Sequence, residues 1–145
     1  MAANIRTRVA QIISVLKNTD PEAGMSQAIG ELNRVLEEVG VALCRVATEK
    51  HLAYSKLAEQ NRHHEQLRSE IRTAIQEGSE HVAKAATLRQ LHTKTQISLL
   101  EQNIAHMEKE EKEMESYLVA LRTKKRKMEE MLRQFTSARA AQHIR

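Results

Sequence analysis

From Ser79 to Arg145 the chain contains neither Gly nor Pro. Turns and tight loops depend on those two residues, so this stretch has nowhere to reverse direction. Strands would need frequent breaks; one long helix needs none. Over the whole chain Pro occurs once and Gly four times, and the strong helix formers Ala, Leu, Glu, Gln, Lys, Arg and Met dominate. Aromatic residues make up 2% (one Phe, two Tyr, no Trp), so any core is built from aliphatic side chains. The expected class is all-α and elongated.

Two signals divide the chain into three segments. Pro21 disfavours helical geometry at Asp20 and suits the first position of a new helix with Asp20 as its N-cap. This places a break at residues 19–20. Glu77-Gly78-Ser79-Glu80 is the second signal. Gly78 suits the position just past a helix end, and Ser79 suits the N-cap of the next helix. The expected helices cover residues 1–18, about 21–76 and about 80–143, with a turn at 77–80.

The two long segments carry the same pattern. Steps of four and three from Met25 give Met25, Ile29, Leu32, Leu36, Val39, Leu43, Val46, Lys50, Ala53, Leu57, Gln60, His64, Leu67, Ile71 and Ala74. The third segment repeats it through Ala83, Ala86, Gln90, Thr93, Ile97, Leu100, Ile104, Met107, Glu111, Met114, Leu118, Leu121, Lys125, Met128, Leu132 and Phe135. An apolar seam of period 3.5 over this many heptads is the coiled-coil signature. A lone helix of that length, roughly 80 Å at ~1.5 Å per residue, cannot cover its own seam. Two such rods joined by a short turn should fold back on each other. The fold expected is therefore an all-α, long antiparallel two-helix coiled-coil hairpin, residues 21–145, preceded by a short amphipathic helix, residues 1–18. Gly30 and Gly40 lie off the seam, where they would mark a bend or a close helix approach.

The first segment has its own stripe: Ile5, Val9, Ile12, Ile13 and Leu16 share one helical face. Arg6, Arg8 and Lys17 supply three cations, and no acid offsets them. This composition suits a helix lying in a bilayer interface, with aliphatic side chains among acyl chains and cations on lipid phosphates. The plainer reading is a capping helix that packs back on the hairpin.

Charge and cysteine content limit the partners. The net charge is +4 with pI about 9.4, which favours acidic surfaces. Cys44 is alone, so no internal disulfide is available and a reducing compartment fits. Its apolar surroundings in sequence suggest a buried, inert thiol. No apolar run reaches the ~20 residues of a membrane span. The basic tail, from Arg122 to Arg145, lacks aromatic interleaving or zinc spacing, so it reads as a solvated face rather than a nucleic-acid site. The seven His include no pair at ligand spacing, and neither a metal nor any other cofactor is expected. Phosphate-binding and nucleophile motifs are missing, so the expected role is non-catalytic.

Several elements together resemble a known family. They are the amphipathic first segment, Asp20-Pro21-Glu22 opening a long helix, and Gly78, Ala83 and Ala86 around the turn. Leu118-x-x-Leu121-x-x-Lys124 and the terminal Ala138-Arg139-Ala140-Ala141 complete the pattern. It is similar to the phage shock protein A family, bacterial relatives of the ESCRT-III membrane-remodelling proteins. The resemblance implies a cytoplasmic protein, peripheral on the cytoplasmic face of the inner membrane, that binds anionic lipids under envelope stress. It also implies hairpins that assemble into homo-oligomers or polymers, and, in some members, restraint of an AAA+ transcription activator. The membrane-facing set it implies is Ile5, Arg6, Arg8, Val9, Ile12, Ile13, Leu16 and Lys17.

Overall fold

A computed structural model describes the backbone of residues 2–18 and 21–143, and the side chains of residues 4–14 and 22–143. The described residues form three helices: α1 (Ala2–Asn18), α2 (Pro21–Gln76) and α3 (Glu80–His143). No strand occurs among the described residues, so the class is all-α. Residues 19–20, where Pro21 predicts a break, lie outside the described residues.

The turn between α2 and α3 follows from one residue. Gly78 adopts φ +74°, a left-handed conformation that costs a residue without Cβ almost nothing. Once there, the Ser79 amide donates to the Ala74 carbonyl at 2.8 Å and the Gly78 amide to Ile75 at 3.2 Å. This pair of bonds satisfies carbonyls that a helix end would otherwise orphan. The next helix starts at once, with the Ala83 amide donating to the Ser79 carbonyl at 3.0 Å. Gly78 and Ser79 thus lie between the end of α2 at Gln76 and the start of α3 at Glu80.

The chain divides into two compact units, one of Met1–Cys44 with Glu111–Arg145 and the other of Arg45–Glu110. In the second unit, the residues that α2 buries are those of its seam. Every residue of α2 from Arg45 to Gln76 that is buried or half-buried is a seam position: Val46, Lys50, Ala53, Leu57, Gln60, His64, Leu67, Ile71 and Ala74. Leu67 is 1% exposed. From α3 the same unit buries Ala86, Thr93 and Ile104. Thr93 satisfies its hydroxyl within its own helix, donating to the Arg89 carbonyl at 2.9 Å, so a polar side chain sits in the seam at little cost. Across the unit the Tyr54 hydroxyl donates to the Glu108 carboxylate.

The first unit differs because α1 joins it. Here α2 buries its seam residues Met25, Leu32 and Val39, and also Ala28, Val35 and Ala42. The added residues repeat every seven positions, three after each seam residue, and form a second stripe. Val35 and Val39 are both fully buried. From α3, Met114 and Leu121 close the core, and Arg139 donates to Glu22 at 2.6 Å.

Three expectations need correction. Cys44 is exposed, not buried. It lies one residue past the seam position Leu43 and two past Ala42, on the side of α2 that neither stripe covers. Phe135, the last seam position, is 43% exposed, because the apolar pattern outlasts its cover: residues 133–143 are exposed on every face. Finally, Gly30 and Gly40 mark no close approach, since a Cβ built at either would meet nothing within 4 Å.

Candidate functional site

Among the described helices α1 alone has no acid beside its apolar stripe, and the structure describes that stripe from Ile5 to Ile13. Ile5 and Ile12 are buried, at 7% and 9% exposure, while Val9 and Ile13 are half-buried. Within the first unit Ile12 lies beside Ala28 of the second α2 stripe, and Ile5, Val9 and Ile13 lie beside Leu121 of α3. Hydrophobic surface at period 3.6 has found protein to cover it, as an amphipathic helix requires in water.

Polar contacts fix the helix at two points. Arg8 donates to the Glu38 carboxylate of α2. That hydrogen bond raises the arginine's pKa above its ordinary value, against the smaller opposing effect of burial, with Glu38 and Glu31 adding attraction through space. The guanidinium keeps its charge at any physiological pH. On the other side Arg6 donates through Nε to the Tyr117 hydroxyl of α3, and its guanidinium carbon lies 5.5 Å from the centre of the Tyr117 ring. Cations over aromatic faces at this range are attracted by the ring quadrupole. Partly exposed ion pairs such as Arg8–Glu38 contribute at most about 1 kcal/mol. They set the orientation of α1 more than its affinity.

The predicted membrane-facing set therefore divides. Ile5, Val9, Ile12 and Ile13 come together on the inward side, Arg6 and Arg8 flank them, and the side chains of Leu16 and Lys17 lie outside the described residues. Glu38 and Tyr117, the partners of the two arginines, carry no signal in the sequence that would single them out. The second stripe did carry one. Ala28, Val35 and Ala42 recur every seven residues beside the seam, and positions 49, 56, 63 and 70 continue that series as Glu, Lys, His and Glu. The switch from apolar to polar marks how far along α2 a third helix is accommodated.

Among the described residues no group of three His, Cys, Asp or Glu is placed to hold a metal ion. Among those residues, too, no helix is long and apolar enough to cross a membrane. No protein-family model matches the chain, and a search of curated proteins finds no match to it.

Proposed function

We propose that this chain is a non-catalytic, membrane-associated scaffold of the phage shock protein A type. In this reading α2 and α3 form an antiparallel coiled-coil hairpin that assembles into homo-oligomers or polymers, and α1 binds anionic lipid at the cytoplasmic face of the inner membrane. The observation that carries it is α1 itself: an apolar stripe flanked by cations, with no acid, held to the body by exposed polar contacts. The hairpin is supported by residues paired in each unit, Tyr54 with Glu108 and Glu22 with Arg139, and by the tight turn at Gly78.

The burial of Ile5 and Ile12 sets the terms on which lipid is bound. The same side chains cannot face the bundle and the acyl chains together. Membrane binding on this reading exchanges one apolar environment for another, so its net drive is small and the cationic contribution from anionic headgroups decides it. Co-sedimentation with vesicles tests this. The chain is expected to pellet with anionic vesicles and not with zwitterionic ones. Absence of pelleting, or equal pelleting after Ile12→Glu with Ile13→Glu, would sink the reading.

A second reading rests on a different observation. Leu88, Leu91 and Leu99 of α3 are 68%, 57% and 50% exposed. Such a stripe suits a protein partner, and the candidate class is an AAA+ transcription activator restrained by a soluble regulator. Under this alternative, partner capture survives deletion of residues 1–18 and is lost with Leu88→Ser and Leu91→Ser.

A further inference from the structure

In the first unit, α1 and α3 do not close completely on one another. Between them runs a groove of about 680 Å³. That volume falls within the roughly 300–1,000 Å³ typical of sites for small ligands. Its inner surface is apolar: Ile5 and Leu121 are buried, and Val9 and Ile13 are half-buried. Its rim is cationic. Arg6, Lys124 and Lys127 all line it, and among the described residues no carboxylate does. Arg6 is already engaged with Tyr117, which leaves the two lysines, three residues apart on one face of α3, to receive a charge.

We propose that this groove is a binding site for a single-chain amphipathic anion, a fatty-acid carboxylate. An alkyl chain would cover the Val9–Ile13 face of α1, and its carboxylate would sit against Lys124 and Lys127. The charge complementarity selects the occupant. A second apolar helix would leave Lys124 and Lys127 without counter-charge, and a neutral alkane would use only the inner surface. Lysine stems pack along apolar surface while the ammonium reaches water, as this rim requires. The site belongs to the arrangement in which α1 is docked beside α3, and its test involves no membrane, so it can fail independently of lipid binding.

Isotope-edited NMR of the full chain, titrated with decanoate below its self-association limit, tests the site without vesicles. Shifts are expected for amides of residues 5–13 and 117–127. Decanol should bind more weakly by about tenfold, and reversal of both lysines, Lys124→Glu with Lys127→Glu, should weaken decanoate by a similar factor. Ala120 is exposed and lines the groove, so Ala120→Trp should fill it and abolish binding while helicity by circular dichroism is retained. Several outcomes overturn the proposal: no decanoate binding, equal binding of decanol, or indifference to Ala120→Trp. Shifts confined to the exposed leucines at 88–99 would do so too. Decyl phosphate binding much more tightly than decanoate would overturn the carboxylate assignment.

Discussion

One helix, α2, passes through two environments, and its two halves obey different rules. From Met25 to Ala42 it buries two stripes and reaches zero exposure at Val35 and Val39. From Arg45 to Gln76 it buries one stripe, and that stripe tolerates Lys50, Gln60 and His64. The helix is continuous and its seam period does not change. What differs is the number of partners. A third helix turns a flank of the seam into core, and only where that happens does the flank become apolar. Two partners exclude water well enough to demand hydrocarbon; one leaves polar side chains a route to solvent at the seam edge.

Val35→Glu is the sharpest way to break this comparison. In the full chain it places a charge where no water reaches and should destabilise by about 3 kcal/mol, measured by urea unfolding. In a chain starting at residue 19 the same change should cost less than about 1 kcal/mol, because the position is then surface. Equal penalties would mean that α1 is not what buries Val35. The glycines come next, with opposite signs expected in the two units. Gly78→Ala forces a Cβ into left-handed geometry and should destabilise by about 1–2 kcal/mol. Gly30→Ala and Gly40→Ala meet open space in a helix interior and should each stabilise by up to about 1 kcal/mol. A loss at either position would reveal a packing constraint the geometry does not contain. The smallest change in stability should come from Glu38→Ala, at about 0.5 kcal/mol. Its readout is vesicle pelleting, which should rise as α1 is released more readily; a fall would place Glu38 on the membrane-binding side instead.

Much of the fold was legible because helical periodicity is local and the seam is long. All fifteen α2 seam positions, Met25 to Ala74, are buried or half-buried, and only Phe135 of the α3 series is exposed. The turn was legible for the same reason, since Gly78 and Ser79 act through their own backbone. Contacts that join distant residues were not. Arg8 has several acids within reach of a folded-back helix, and no pattern in the chain selects Glu38. The fate of α1 also depended on a competition that composition does not decide. An apolar stripe with cations suits lipid and protein alike, and here Ile5 and Ile12 are covered by protein. Cys44 was misread because its neighbours at 41–43 and 46 are apolar, whereas burial follows position relative to the stripes, not local hydropathy.

The contact between Arg6 and Tyr117 spans 111 residues of sequence. A chain emerges from the ribosome at roughly 5–20 residues per second, so α1 precedes its α3 partner by on the order of 5–20 seconds. For that interval the helix has its amphipathic stripe and no third element to close over it. Any lipid surface beside the site of synthesis has first access to Ile5 and Ile12, before the bundle that will compete for them exists. On the proposed reading, in which α1 also binds lipid, where the protein is made bears on whether bilayer or bundle meets the helix first.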